Sequence, residues 1–322
     1  MDGEAVTVRR SGDFGFQLMG GFIEHDPSAG FHDIQGVPPS MSYLFGSLRS
    51  AEGDYWWPIR GFLHGKARHL QFLESKAGGD FEWNHTETDG AYMGETVNGE
   101  RDGRWGFWTP DGEPILSTTA TEMHWHEPSG VMDVKATAHG PSMQFYCANP
   151  EEPLVYTSRL FKVDSATVKG KECTGWFFHD VVSLRAGQSW YGSPYLLAIQ
   201  GAWVAFVTEM EDGSVDAGHL VWGPEGFTLM VIQRSDGTLL VDREVVIDYE
   251  MDDQDFPSRV SYRASTGETW VWHETGRARM PVRHEISAHH RWREGVVLRD
   301  GETRPWRDSE ALMETYNDRL PR

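Results

Sequence analysis

Apolar and polar residues alternate in short segments along most of the chain, and these segments are rich in Val, Thr, Tyr, Trp and Phe. Such alternation with a period of two predicts β-strands. The clearest series covers residues 195–199, 202–210, 216–222, 228–233 and 239–245. Turn signals such as Asp212-Gly213 and Asp236-Gly237 separate its members, because glycine accepts the positive φ angles of short hairpins. Consecutive antiparallel strands normally curl into a barrel or sandwich, which removes exposed edges.

The rest of the chain shows the same pattern. Further strands are predicted at residues 42–48, 61–72, 82–87, 91–97, 105–108, 118–126, 131–139, 256–262, 269–274 and 285–292. Residues 148–153 are polar and contain two prolines, which is typical of a linker, so we place a boundary between domains 1–150 and 151–322. Helical periodicity appears only at residues 308–317, where Asp308 or Ser309 would be the N-cap. The sequence therefore predicts an all-β protein with two antiparallel barrel or sandwich domains and a short C-terminal helix.

Net charge and composition limit the partners and the cellular location that we expect for the protein. The 322 residues carry a net charge of −20, which repels the phosphate backbone, so we expect no nucleic-acid partner. The first thirty residues hold no secretory signal pattern, and the longest apolar stretch, 194–207, is shorter than the ~20 residues of a membrane-spanning helix. We therefore expect a cytoplasmic protein without an integral membrane segment. Its two cysteines, Cys147 and Cys173, are then expected to be reduced packing residues.

The first motif with chemical potential is the segment 122–127, Glu-Met-His-Trp-His-Glu. On a strand, Glu122, His124 and His126 share one face, while Glu127 faces away. The three side chains could begin a metal site, which needs a further ligand from elsewhere in the chain. They could equally form a metal-free cluster that exchanges protons near neutral pH, or a solvated polar strand face.

The second motif is the segment 175–180, Gly-Trp-Phe-Phe-His-Asp. Here Trp176 and Phe178 precede His179 and Asp180 at a predicted strand end. An acid beside aromatic walls suits proton donation, because desolvation raises a carboxyl pKa. Aromatic faces also stabilise a developing carbocation. The alternative is a hydrophobic strand that ends in a solvated His-Asp pair.

A third group contains His284, His289, His290, Trp292 and Glu294. Because His289 and His290 face opposite sides of a strand, at most one of them can share a site with Trp292. The sequence has no Gly-x-Ser-x-Gly motif, no phosphate-cradling glycine loop and no paired-cysteine zinc motif, so nucleotide-dependent and serine-hydrolase chemistry are poorly supported.

Three stretches resemble the lipocalin-like superfamily that contains carotenoid 1,2-hydratases and AttH-like proteins: residues 175–180, the meander 195–234 with Glu211-Asp212-Gly213, and residues 292–296 followed by 314–316. The resemblance implies two packed lipocalin-like β domains with a ligand in a barrel mouth or between domains. It also implies chemistry without a cofactor, namely hydration of a double bond or cyclisation of a polyene. In that superfamily a segment that begins with Trp or Tyr supplies an acidic residue. The resemblance implies that the matching positions here are Trp176 and either His179 or Asp180. Val181-Val182 stands where the superfamily usually has Trp-Gly.

These observations lead to the hypothesis of a cofactor-independent hydratase, isomerase or cyclase that acts on an isoprenoid, steroid-like or polyketide substrate. Asp180 or His179 would protonate the substrate, and the face of Glu122, His124 and His126 would position or deprotonate water. The expected substrate-binding residues are aromatic: Trp125, Trp176, Phe178, Trp190, Tyr195 and Trp292. The alternatives are a non-catalytic carrier of a hydrophobic ligand and a metalloenzyme that uses Glu122, His124 and His126.

Overall fold

A computed structural model describes residues 18–34, 36–76, 82–85, 91–147, 152–188, 200–279 and 290–320. Within these ranges the regular structure is antiparallel β-sheet, apart from two short 3₁₀ turns at Pro224–Gly226 and Asn317–Arg319. This confirms the predicted all-β architecture. The described residues include no helix with the length and apolar content that crossing a bilayer requires.

The described strands form two sheets, one of 14 strands and one of 9. The strands of the first sheet are β1 Leu18–Ile23, β2 Pro39–Ser50, β3 Asp54–Leu63, β4 Lys66–Lys76, β5 Glu82–His85, β6 Gly94–Glu95, β7 Val97–Arg101, β8 Arg104–Trp108, β9 Pro114–Thr118, β10 Glu122–His126, β11 Met132–Ala138, β12 Ser142–Cys147, β13 Leu154–Val168 and β14 Lys171–Leu184. Its main path has the order β5-β4-β3-β2-β14-β13-β11-β10-β9-β8-β7.

The second sheet has the order β18-β17-β16-β15-β23-β22-β21-β20-β19 among the residues described. Its strands are β15 Ala202–Met210, β16 Val215–Trp222, β17 Thr228–Gln233, β18 Leu239–Asp242, β19 Val246–Met251, β20 Pro257–Arg263, β21 Thr269–Arg279, β22 His290–Arg299 and β23 Trp306–Tyr316. Residues 308–316 therefore lie in a strand, and the predicted C-terminal helix is wrong. Pairing of β23 with both β15 and β22 outweighs the local helix preference of this segment.

The chain divides into two compact units, a first unit of residues 22–77 and 82–189 and a second unit of residues 1–21, 78–81 and 190–322. The predicted boundary at residue 150 falls inside the first unit. The polar segment there joins β12 to β13, which pair directly with Cys147 opposite Leu154. β13 and β14 then complete the first sheet by pairing with β11 and β2. The polar, proline-containing composition of this segment, which suggested a linker between domains, thus belongs to a connection between two strands of one sheet.

Each unit has its own hydrophobic core. In the first unit, one face of the sheet buries side chains such as Leu44, Val134, Phe161 and Phe177, together with the free thiol of Cys173. We call the opposite side of this sheet the outer face. In the second unit, buried rings include Trp222, Tyr262, Trp270 and Trp272. Most of the tryptophans in these cores act as large apolar packing groups.

Candidate functional site

The motif 175–180 lies in the middle of β14, so its side chains alternate between the two faces of the first sheet. Phe177 packs in the core, and His179 points to the same side as Phe177. Asp180 and Phe178 belong to the outer face. The two acid–base residues of the motif are therefore adjacent in sequence but separated by the thickness of the sheet.

His179 is a buried core residue. Its Nε2 atom lies 2.7 Å from the hydroxyl oxygen of Ser42, and Arg159 is its cross-strand neighbour. Burial, helped by the charge of Arg159, lowers the pKa of His179 to about 3. The imidazole is neutral at pH 7 and holds no proton that it could readily give to a substrate.

Arg159 supports the same part of the core. Its guanidinium donates hydrogen bonds to the carbonyl oxygens of Thr119, at 3.1 Å, and Ala120, and it lies 4.6 Å from the ring centroid of Phe161. Burial lowers the pKa of Arg159 to about 9. These contacts connect β13 to the loop before β10, so Arg159 has a structural role in the core of the first unit.

Asp180 lies on the outer face with 6% of its surface exposed and accepts a hydrogen bond from the Tyr156 hydroxyl. Tyr156 comes from the neighbouring strand β13, and the ring of Phe145 stacks on it with a centroid distance of 4.8 Å. A carboxyl group is thus fixed by a phenol in a setting with little access to water.

Aromatic side chains continue along the outer face from Asp180. Phe178 stacks on Phe45 of β2 at a centroid distance of 5.5 Å, and Phe45 lies 5.6 Å from Trp57. Trp176 is 1% exposed, and its ring meets the edge of His139 and the ammonium group of Lys162. Two substrate-binding residues predicted from the sequence, Trp176 and Phe178, therefore share one face with Asp180.

A separate polar cluster occupies the far end of the outer face, on the β10–β11 hairpin. His124 Nε2 lies 3.1 Å from Oδ1 of Asp133, and His126 Nδ1 lies 2.9 Å from Oδ2 of the same carboxylate. On its other side, His126 Nε2 lies 3.6 Å from a carboxylate oxygen of Glu113. Burial would raise the pKa of Asp133, but the contacts with His126 and His124 outweigh it and hold that pKa below its usual range.

Glu122 does not join this cluster, because its carboxylate accepts a hydrogen bond from Arg104 at 3.0 Å. It is also remote from Asp180. Glu122, Thr137, Lys162 and Trp176 form one cross-strand row, so three strand spacings, or about 14 Å, separate Glu122 from Trp176. Asp180 lies four residues further along β14, about 13 Å away. The structure therefore does not bring Glu122, His124 and His126 together with Asp180.

Trp125 lies in the core of the first unit beside an unusual ion pair. Its indole N–H donates to Oε1 of Glu127 at 2.7 Å, and Oε2 of Glu127 lies 3.3 Å from Nη2 of Arg60. Neither charged side chain has any exposed surface. Burial raises the pKa of Glu127, and the charge of Arg60 opposes that shift. Trp125 is therefore a structural residue and does not line the outer face.

Trp292 belongs to the second unit. Its indole N–H donates to Nε2 of His290 at 2.7 Å, and the same nitrogen lies 2.5 Å from a carboxylate oxygen of Glu314. The other oxygen of Glu314 accepts a hydrogen bond from Gln200 at 2.9 Å. Glu294, on the same strand, instead accepts from Thr275. The predicted residues Trp190, Tyr195, His284 and His289 lie outside the described residues.

An open groove of about 720 Å³ crosses the outer face over strands β7 to β11 and β13. Charged and polar side chains line much of it, among them Arg101, Arg104, Glu122, His124, Lys135 and Asp164. This lining suits a polar or charged ligand better than the hydrophobic substrate expected from the sequence.

Sequence reasoning missed two residues that complete these clusters, Tyr156 and Asp133. The Asp133 position carried a usable signal, because Pro128-Ser129-Gly130 is a turn between two predicted strands and implies that His126 lies near residue 133. Tyr156 carried none, since its contact with Asp180 depends on the register of two long strands.

Fold and site together define an all-β protein of two antiparallel units whose first unit carries a tyrosine-bound aspartate on an aromatic face. No protein-family model and no curated protein sequence matches the chain. Among solved structures, a proposed AttH protein from Nitrosomonas europaea is 11% identical, with a TM-score of 0.48 over 92% of this chain and 97% of that one. Kievitone hydratase from Nectria haematococca is 8% identical, with a TM-score of 0.48 over 92% of this chain and 96% of that one.

Proposed function

We propose that the chain is an enzyme that adds water to, or isomerises, a carbon–carbon double bond of a hydrophobic substrate by acid–base chemistry, with Asp180 as the proton donor. The observation that carries this proposal is the buried hydrogen bond between Tyr156 and Asp180 on a face formed largely by aromatic side chains. Isoprenoid, steroid-like and polyketide alkenes are the substrate classes that fit such a face. The alkene is polarised by no charge of its own, so a positioned acid is the first requirement of the reaction.

The chemistry follows from this arrangement. The O–H bond of the Asp180 carboxyl group breaks as a C–H bond forms on one alkene carbon, which leaves a carbocation on the other. The electron-rich faces of Phe178 and Phe45 stabilise that charge. Water adds to the cation, and the proton that the new hydroxyl group sheds returns to the Asp180 carboxylate. Loss of a different carbon-bound proton from the cation gives an isomerised alkene instead, and again regenerates the acid.

Asp180 fits this role better than His179 for two reasons. The His179 side chain points into the core, away from Trp176 and Phe178, and its pKa of about 3 leaves it as neutral imidazole, without the acidic imidazolium proton, at pH 7. Tyr156 has a positioning role, because its hydroxyl group fixes the rotamer of Asp180 and its ring is held by Phe145.

The test is turnover in isotopically labelled water. The protein is incubated with a panel of prenylated, steroid-like and polyketide alkenes in H₂¹⁸O and in D₂O, and mass spectrometry detects incorporated oxygen or deuterium. Asp180→Asn is expected to lower the rate roughly 10²–10⁴-fold, which is the usual contribution of a general acid. Tyr156→Phe should lower it less, because the acid remains but is less well oriented.

The matched control is Asp216→Asn, which alters a buried aspartate of the second unit that accepts a backbone hydrogen bond from Ser235. This variant should turn over substrate at the unmodified rate. Equal rates for Asp180→Asn and the parent protein would remove Asp180 from the mechanism. If a panel compound quenches tryptophan fluorescence but never yields a labelled product, the protein is a carrier.

A further inference from the structure

The β10–β11 hairpin places three side chains that can bind metals together on the outer face of the first unit. His124 and His126 are two residues apart on β10 and so project to the same side. Asp133 is the register partner of His126 on β11. The hairpin is closed by the turn at Gly130, which has a positive φ of 75°, and by a hydrogen bond from the Glu127 amide to the Met132 carbonyl oxygen at 2.9 Å. The backbone therefore fixes the positions of all three groups.

We propose that His124, His126 and Asp133 bind one divalent transition-metal ion, with zinc as the typical occupant. One donor atom from each side chain lies within 4.8 Å of the others. Donor atoms of a tetrahedral zinc site lie about 3.3 Å apart, as follows from metal–ligand bonds of 2.0–2.2 Å. Side-chain rotations that bring the donor atoms closer by at most about 1.5 Å close the difference. The three side chains are 27–42% exposed, so they have room to rotate. Two imidazoles and a carboxylate form a donor set that zinc-class ions prefer over calcium or magnesium.

Glu113 gives this cluster the second layer that histidine-based metal sites generally have. Its carboxylate lies 3.6 Å from Nε2 of His126, whereas Nδ1 of the same ring faces Asp133 at 2.9 Å. With Nδ1 on the metal, the Nε2–H group faces the Glu113 carboxylate, and the negative charge of that carboxylate favours this tautomer. The carboxylates of Glu113 and Asp133 together offset the two positive charges of the ion.

Neighbouring charges leave the site open to a cation. Lys135 is the cross-strand partner of His124, but it is exposed, so its ammonium group can turn into solvent. Arg104 is already held by Glu122 at 3.0 Å. His124 also lines the open groove of about 720 Å³, so an ion enters from solvent, and its remaining coordination position is available to water or to a polar ligand. The net charge of −20 favours the approach of cations.

The proposal is tested on protein without an affinity tag, after treatment with a chelator. Calorimetric titration with Zn²⁺ is expected to show one ion per chain, and Zn²⁺ should raise the thermal unfolding midpoint. His126→Gln and Asp133→Asn should each weaken Zn²⁺ binding roughly ten-fold or more. Loss of a residue that only contacts a metal ligand already costs about ten-fold in affinity, so loss of a ligand itself should cost at least as much. Cu²⁺ bound to the parent protein should show coupling to two imidazole nitrogens in electron paramagnetic resonance, and His124→Gln should reduce this to one.

The matched control is His32→Gln. His32 also lies near an aspartate, with Nε2 3.9 Å from Asp26, but among the described residues this pair is not part of a group of three metal-binding side chains, so the variant should bind Zn²⁺ like the parent protein. Circular dichroism checks that each variant is folded. The proposal fails if the parent protein binds no Zn²⁺, or if His126→Gln binds it as tightly as His32→Gln does. Asp180→Asn should keep full Zn²⁺ affinity, so this test is independent of the proposed reaction.

Discussion

The buried imidazole of His179 makes a sharp prediction about the acid stability of the first unit. Its pKa is about 3 in the folded chain, against 6.5 for an ordinary histidine, because it is buried and lies next to Arg159. Between these two values the unfolded chain binds a proton that the folded chain does not. The stabilising contribution is therefore complete above pH 6.5 and is lost as the pH falls towards 3. The loss amounts to about 1.4 kcal/mol per pH unit, or roughly 5 kcal/mol in full.

The perturbation is His179→Gln, which removes the titrating group and keeps an amide that can reach Ser42. Urea denaturation, followed by tryptophan fluorescence at a series of pH values, gives the free energy of unfolding for both proteins. Between about pH 6 and pH 4, the parent should lose stability more steeply than the variant, by about 1.4 kcal/mol per pH unit. At pH 7 the variant should be the less stable of the two.

The control for this experiment is His32→Gln, which replaces an exposed histidine of the same unit and leaves its core unchanged. His219 offers a second comparison in the other unit, since burial lowers its pKa to about 3 as well. His219→Gln should flatten the profile of the second unit in the same way. Parallel profiles for the parent and His179→Gln would refute the claim that the imidazole remains neutral inside the sheet.

Two further predictions concern the interior of the first unit. Arg60→Met should lower the free energy of unfolding by about 3–5 kcal/mol, because Glu127 then stays buried without its cation, and the double variant with Glu127→Gln should lose less than the sum of the two single changes. Urea denaturation of the four proteins measures this coupling, and strict additivity would contradict it. Gly175→Ala should lower stability by about 1–3 kcal/mol, since the new Cβ atom would lie 1.8 Å from the Ser47 carbonyl oxygen. Thermal unfolding measures the loss, and an unchanged midpoint would show that the strands separate freely there.

Much of the second unit follows from its sequence alone. The predicted strands at 202–210, 216–222 and 228–233 correspond to Ala202–Met210, Val215–Trp222 and Thr228–Gln233. Alternating residues and turn glycines are local signals, and this meander connects neighbouring strands by short turns, so local signals suffice. Because the connecting turns are short, each of these strands pairs with the next strand in sequence.

Residues 308–317 show where local signals fail. Glu310, Ala311, Leu312 and Met313 are good helix formers, yet they lie in the central strand β23 and are almost completely buried. A strand buried on both faces and paired on both sides needs no alternation, so its sequence resembles that of a buried helix. Only the positions of β15 and β22, which are distant in sequence, decide between the two.

The candidate site shows the same division between local and distant information. Alternation correctly separates Glu127 from His124 and His126, because this needs only the strand geometry of β10. The pairing of Asp180 with Tyr156, and the distance between Asp180 and His124, depend on the order and register of β10, β11, β13 and β14. Those quantities are set by the core as a whole and are not encoded in either motif.

The one-residue offset between His179 and Asp180 also governs how this unit tolerates change. Substitutions restricted to even-numbered positions of β14, such as 176, 178 and 180, alter the buried aromatic side beside Asp180, whereas substitutions at 177 and 179 alter the core of the first unit. Insertion or deletion of one residue within β14 would exchange the two faces of the strand for the side chains on one side of the change. Such a shift can put the Asp180 carboxylate among the core aromatics and the His179 imidazole on the outer face. In this strand, the alternation of side chains between the two faces is therefore more important for the fold than the identity of any one outer-face residue.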